Sequence, residues 1–303
     1  MLASEIWLRL TSKQMPVAIS YRPAAKLKSK ATIMSISNQK IKAPNSQHAM
    51  DAPLVTRSPQ RATRNSTTWL SIDFDHIDYL EAWELQGNLV MARKERSLQH
   101  DIVLFLEHPP VFTLGRRGGR ECILVSDEFL EKTGVQVIQV ERGGNITFHG
   151  PGQLVVYPIV DLQSAGIKVV DFVSALEEVM LRTAANWDIT AERNPANRGI
   201  WVGPNKMGSI GIAVRRGISF HGLALNVHTD LAPFSWIQPC GLQHVAMTTM
   251  QQETTNQFSM PQVRAVLKKQ FETVFGIKLR QKKWADLQPL LKNSVSEGRI
   301  GSV

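Results

Sequence analysis

Arg142-Gly143-Gly144-Asn145-Ile146-Thr147-Phe148-His149-Gly150-Pro151-Gly152-Gln153 lies between two apolar runs, Val135–Val140 and Leu154–Val160, that read as strands. Four glycines, one guanidinium and one imidazole fall within these twelve residues. Glycine admits positive φ and a close backbone approach, so such a stretch can turn N–H groups toward a ligand. It lacks the Gly-x-Gly-x-x-Gly spacing of dinucleotide loops, and no Walker loop occurs in the chain.

Further strand-like runs lie on either side: Trp69–Phe74, Ile102–Leu106, Val111–Leu114, Ile210–Val214 and Leu223–Val227. Pro109-Pro110 separates two of them and prevents one continuous strand. Three helices are expected. Asp78 caps the first, which runs to about Ser97 with Leu80, Trp83, Gly87 and Met91 near one face. Asp171 can cap the second, whose Val173, Leu176, Met180 and Trp187 form a buried stripe. The third opens on a Ser259/Gln262 capping box and stops at Gly276. Strands and helices mix without strict alternation, so the fold class is α+β with a mainly antiparallel sheet.

The net charge of +9 belongs to one segment. Residues 1–68 hold eleven of the 35 basic residues and two of the 26 acidic ones, and the remaining 24 of each sign cancel. The body therefore shows no bulk electrostatic signal for nucleic acid. Residues 1–68 also lack periodicity, and are expected to form a disordered basic extension or a targeting peptide. Residues 69–285 are expected to form the catalytic domain and 286–303 a short tail. Cys122 and Cys240 are the only cysteines, too few for a disulfide framework. The longest uncharged run, Leu231–Gln252, is broken by Pro233, Pro239 and Gly241, unlike a membrane span.

Two single residues stand out. Cys240 sits in Gln238-Pro239-Cys240-Gly241, a turn able to present sulfur into a pocket, although a lone cysteine is commonly a small core hydrophobe. Lys206 opens the apolar run Met207-Gly208-Ser209-Ile210-Gly211-Ile212, where an ammonium either reaches water or lies buried. Cys122, in Arg120-Glu121-Cys122-Ile123, reads as a core residue entering a strand. Neither the histidine spacings nor the two cysteines form a recognisable zinc pattern, so no metal and no cofactor is expected.

Together with Leu106-Glu107-His108-Pro109-Pro110-Val111-Phe112-Thr113-Leu114-Gly115-Arg116-Arg117 and Phe220-His221-Gly222-Leu223-Ala224-Leu225-Asn226-Val227, these segments carry a family likeness. It continues through Asp230-Leu231, Phe234 and Ile237 to Pro239-Cys240-Gly241. From about Trp69 to about Met250 the chain resembles the octanoyltransferase (lipoyl/octanoyl-protein transferase) family of lipoate biosynthesis. The resemblance implies the fold shared by biotin and lipoate protein ligases, a sheet flanked by helices. It implies Cys240 as the residue that accepts the acyl group, with Lys206 beside it favouring thiolate and serving as base.

The acyl pocket would be lined by Arg142, Gly143, Gly144, Asn145, Ile146, Thr147, Phe148 and His149, with Ser209, Ile210, Gly211, Gly222, Leu223 and Ala224. Arg142 is expected to order the loop rather than to touch the acyl chain. His149 is read either as part of a proton relay or as structural, and His108 and His221 as structural. The implied reaction moves an octanoyl or lipoyl group from an acyl carrier protein to a lysine of a lipoyl domain, as in 2-oxoacid dehydrogenases and the glycine cleavage H protein. A monomer is expected, in the cytoplasm, or in the mitochondrial matrix if the extension is a transit peptide. The alternatives are an ATP-dependent lipoate ligase, which has no need of Cys240, and a non-catalytic binding module, which needs neither Cys240 nor Lys206.

Overall fold

The computed structural model describes residues 67–238 and 245–289. Residues 1–66 of the expected extension, Cys240 and most of the expected tail lie outside those residues, while Thr67 and Thr68, placed in the extension by composition, open the first strand. In chain order the strands begin with β1 (Thr67–His76), β2 (Ile102–Glu107), β3 (Val111–Leu114) and β4 (Gln136–Gln139). Next come β5 (Ile146–His149), β6 (Gln153–Ile159), β7 (Glu192–Arg193) and β8 (Gly199–Val202). The last are β9 (Asn205–Arg215), β10 (Ile218–Asn226) and β11 (Ile277–Gln281). The helices are α1 (Tyr79–Lys94), α2 (Asp127–Thr133), α3 (Leu162–Ala165), α4 (Val169–Ala185), α5 (Met250–Glu253) and α6 (Met260–Phe275).

Eight strands form one sheet in the order β11-β1-β2-β6-β10-β9-β8-β7. The β11, β1 and β2 edge pairs in parallel and every other neighbour antiparallel. The expected mainly antiparallel α+β class therefore holds, with a parallel margin. Pro109-Pro110 does more than interrupt a strand, because β2 lies in this sheet and β3 in a second, three-stranded sheet of order β4-β3-β5.

Alternation along β2 divides two cores. Val103 and Phe105 pack with Leu176, Met180 and Phe271 of α4 and α6. Ile102, Leu104 and Leu106 pack with Leu85 and Leu89 of α1 on the other face. Covered on both sides, β2, β6 and β10 are buried along their whole length. A separate cluster of Phe112, Leu114, Cys122, Ile146 and Phe148 sits on the small sheet.

The third helix forms as read, with the capping box at Ser259 and Gly276 at φ 63°. The other two need correction. Asp78 does cap α1, accepting from Leu80 N–H and Glu81 N–H, but the buried face is Tyr79, Ala82, Leu85, Gln86, Leu89 and Val90. Leu80 and Met91 stay 49% and 38% exposed, so the expected stripe faces the wrong way. Buried Gln86 misled the pattern: its amide donates to Ala82 C=O, and its Oε1 accepts the His221 N–H. α4 starts at Val169 with Lys168 as N-cap, placing Asp171 within the first turn, where a carboxylate suits the helix dipole.

Candidate active site

A cavity of about 1080 Å³ opens between β9 and β10 on one side and the stretch leading into β5 on the other. Its sheet wall is Ser209, Ile210, Gly211 and Ile212 with His221, Gly222, Leu223 and Ala224. Gly211 and Gly222 are cross-strand partners. A β-carbon on Gly211 would lie 2.9 Å from Gly143 C=O, and one on Gly222 only 2.0 Å from Val156 C=O. The close approach of segment 142–144 to β9, and of β6 to β10, therefore requires glycine at both positions.

The opening motif holds a strand that composition had hidden: Ile146–His149 pairs with β3 as β5. Arg142 is buried and donates to Thr113 Oγ1 (2.8 and 3.1 Å), to Thr113 C=O and to Gly143 C=O (3.0 Å). It orders the turn, in agreement with the sequence reading, while its flank still lines the cavity. Two N–H groups expected to face a ligand are spent internally, Gly143 on Ile212 C=O and Ile146 on Asn145 Oδ1. Thr147 and His149 face the cavity, and Ile146, at the start of β5, borders it while sharing the small-sheet cluster with Phe148, which does not reach the cavity. Phe148 packs instead on Phe112 and Phe234, which removes it from the expected lining. The other expected pocket residues, from Arg142 to Thr147, with His149, Ser209–Gly211 and Gly222–Ala224, all line the cavity.

Lys206 and His221 lie at opposite ends of the sheet wall. His221 pairs with Ile212, six residues along β9 from Lys206, which is roughly 20 Å of strand. At the His221 end Tyr79, Tyr157 and His149 complete a ring-rich wall. His149 bonds Gln153 Oε1 at 2.7 Å, a side chain rather than the backbone, and burial, then the neighbouring His108, pushes its pKa down to about 3. His108 bonds Ile77 C=O and the Tyr157 hydroxyl, both at 2.8 Å, and burial lowers it to about 4. His221 takes φ 54°, uncommon outside glycine, and its Nε2 lies 3.8 Å from Glu141. Burial lowers its pKa as well, with Glu141 opposing.

At the other end, Lys206 is buried near the start of β9. Its Nζ donates to Asn197 Oδ1 at 2.6 Å and stands 5.5 Å from the centre of the Trp201 ring. Burial brings its pKa from the usual lysine value down to about 8, with Glu177 raising it and Arg142 lowering it. The Lys206 N–H donates to Ala246 C=O, and Lys206 C=O accepts the Thr248 N–H, so the stretch after residue 244 runs parallel to Lys206. Gln238 on one side of the Cys240 turn, and Val245 and Met247 on the other, line the same cavity as Lys206. Cys122 is core as expected, but in a 3₁₀ turn, with Sγ 3.2 Å from Asn145 Oδ1.

Sequence reasoning missed Tyr79, Tyr157, Asn197 and Trp201. Tyr157 was visible only as the one polar ring in an apolar run. Asn197, in Asn194-Pro195-Ala196-Asn197, carried no more than a turn signal. Among the described residues no group of three or more His, Cys, Asp or Glu side chains is placed to hold a metal ion. None of the described helices is long and apolar enough to cross a membrane.

Residues 78–272 match the model of the lipoyl protein ligase A/B catalytic domain. An octanoyltransferase from Desulfotalea psychrophila is 44% identical over 207 residues, covering 68% of this chain and 93% of its own. That of Caldicellulosiruptor saccharolyticus is 42% identical over 223 residues, covering 73% and 94%. Among solved structures, lipoate-protein ligase A bound with ATP superposes with a TM-score of 0.60 at 16% identity, covering 77% of this chain and 94% of that one. The bipartite lipoate protein ligase of Thermoplasma acidophilum gives 0.56 at 17% identity, covering 76% and 91%. At those identities the structures show the fold, while the sequence relatives show more: the chain belongs to the lipoyl protein ligase A/B catalytic-domain family, and within it to the octanoyltransferases.

Proposed function

We propose that this octanoyltransferase carries its acyl group as a thioester on Cys240, taken from an octanoyl-acyl carrier protein and delivered to a lysine amine of a lipoyl domain, with Lys206 as the base in both steps. The observation that carries this reading is that the chain on both sides of Cys240 lines the cavity on which buried Lys206 borders.

The neutral Lys206 amine takes the Cys240 thiol proton, leaving a thiolate beside an ammonium. The thiolate adds to the donor thioester carbonyl. The tetrahedral adduct collapses with loss of the carrier's thiolate, which recovers the proton from Lys206. One thioester replaces another, so the step is nearly thermoneutral and needs no nucleotide. The acceptor amine, deprotonated in turn by Lys206, adds to the acyl-enzyme carbonyl, and Cys240 leaves as the amide forms. A pKa of about 8 suits a base that must both take and return protons near neutrality. The small residues on β9 and β10 and the apolar flanks of Ile210 and Leu223 provide a slot for a medium acyl chain. Lipoyl domains of 2-oxoacid dehydrogenases and the H protein of glycine cleavage are the acceptors this chemistry fits.

The test is octanoyl transfer to a purified lipoyl domain, read by acceptor mass and run without ATP. Wild type and Cys122→Ala should modify the acceptor, and Cys240→Ala should leave it unmodified. Transfer that survives in Cys240→Ala, or that requires ATP, refutes the reading.

A further inference from the structure

Lys206 does not stand in its cavity unaided, and the side chain that holds it belongs to no motif. The hydrogen bond from Nζ to Asn197 Oδ1, at 2.6 Å, is the one that the buried ammonium makes to a side chain among the described residues. Asn197 is itself held on several sides. Its N–H donates to Asn194 C=O at 3.2 Å, closing a turn that the Ala196 N–H to Asn194 Oδ1 bond also fixes. Its C=O accepts the Trp201 indole N–H at 3.1 Å. The next two residues are tied to helix α4, because buried Glu177 accepts from Arg198 Nη1 and from Gly199 N–H. The Trp201 ring that anchors the Asn197 backbone also lies 5.5 Å from Lys206 Nζ. The lysine head therefore rests between an amide oxygen and an aromatic ring that fix one another.

We propose that Asn197 is a positioning residue for Lys206: its amide oxygen, anchored by the Asn194 turn and by Trp201, aims the lysine head into the acyl cavity and sets how readily it gives up its proton. This rests on Lys206 acting as the base, as proposed above.

A neutral acceptor on a buried ammonium stabilises the charged form without a full counter-charge. Among the described residues, the charged groups facing Lys206 are Glu177 from α4, itself shared with Arg193 and Arg198, and Arg142 from the turn before β5. The Cys240 thiol of the proposed mechanism is common to every variant compared below. Glu177 favours the ammonium and Arg142 opposes it. Asn197 thus acts alongside two charges of opposite sign. Replacing it shifts the proton affinity in a direction set by the replacement. Asn197→Leu keeps the approximate volume and removes the acceptor, so the ammonium is less favoured. Asn197→Asp keeps the shape and adds a negative charge, so the ammonium is more favoured.

The experiment measures the pH dependence of octanoyl loading from an octanoyl-carrier protein, for wild type, Asn197→Leu, Asn197→Asp and Lys206→Ala, with circular dichroism to establish folding. The acid limb should move to lower pH in Asn197→Leu and to higher pH in Asn197→Asp, each by about one unit, the scale of one charge-assisted hydrogen bond. Loading at the optimum should fall at least tenfold in Asn197→Leu, where the head is no longer aimed. If both variants keep the wild-type limb while Lys206→Ala loses loading, the base assignment stands and the role of Asn197 is overturned. Wild-type loading in Lys206→Ala overturns both. If Asn197→Leu does not fold, the Asn197→Asp limb decides alone: unmoved, it contradicts the proposal.

Discussion

At the residue scale, burial does most of the chemical tuning. His108 and His149 lie at about 4 and 3, both pushed down first by burial, so both are neutral at working pH. As neutral imidazoles, His108 bonds the Tyr157 hydroxyl and His149 bonds Gln153, and Tyr157 and His149 line this end of the cavity. Lys206 is the side chain at the opposite end that burial brings within reach of neutrality. Lys206→Ala should therefore slow both acyl loading and transfer by about 10²–10⁴-fold, with the fold intact by circular dichroism. Lys206→Arg should not restore the rate, because a guanidinium keeps its proton. The proposed mechanism needs Lys206 neutral, so in the wild type loading should fall as pH drops through about 8 and the amine protonates. Loading in Lys206→Ala within threefold of wild type, or a rate that rises as pH falls, contradicts the assignment.

At the element scale, the fold was legible where periodicity and capping agree. β2 and β6 and the capping box of α6 came through because local pattern and tertiary burial point the same way. The buried face of α1 did not, because Gln86 sits in the core to serve His221 while Leu80 and Met91 face solvent. Likewise β5 is hidden inside the glycine motif, and the resemblance that implies a pocket lined by 142–149 does not say which side chains of that stretch face it, so Phe148 goes to the small-sheet cluster instead. Asn197 and Trp201 could not be foreseen, since their value depends on a turn folding against β9, which spacing does not encode. Two glycines illustrate the difference between loose and tight elements. Gly87 in α1 has nothing within 4 Å of an added β-carbon, so Gly87→Ala should stabilise by about 0.5–1 kcal/mol. Gly222→Ala meets the β6 backbone and should destabilise by at least about 1–3 kcal/mol, the scale of overpacking. Denaturant midpoints measure both, and a Gly222→Ala protein as stable as wild type would show that β6 and β10 are not held as close as described.

At the scale of the whole molecule, an eight-stranded sheet between two helical layers supports a small three-stranded sheet, and the cavity lies where they meet. The large sheet gives β9 and β10, and with them Lys206. The small sheet gives β5 and the Arg142 turn. The segment that carries Cys240 enters from the small-sheet side, where Ile237 bridges Ile123, and leaves beside Lys206 through Met247. In the proposed mechanism this segment holds the acyl group covalently between donor and acceptor. The most direct measurement is the intact mass of the full chain after mixing with octanoyl-carrier protein and no acceptor. The mass should rise by one octanoyl group, be removed by hydroxylamine, map to the Cys240 peptide, and disappear when a lipoyl domain is added. A chain that transfers octanoate yet never shows this adduct, or that shows it undiminished in Cys240→Ala, contradicts the mechanism.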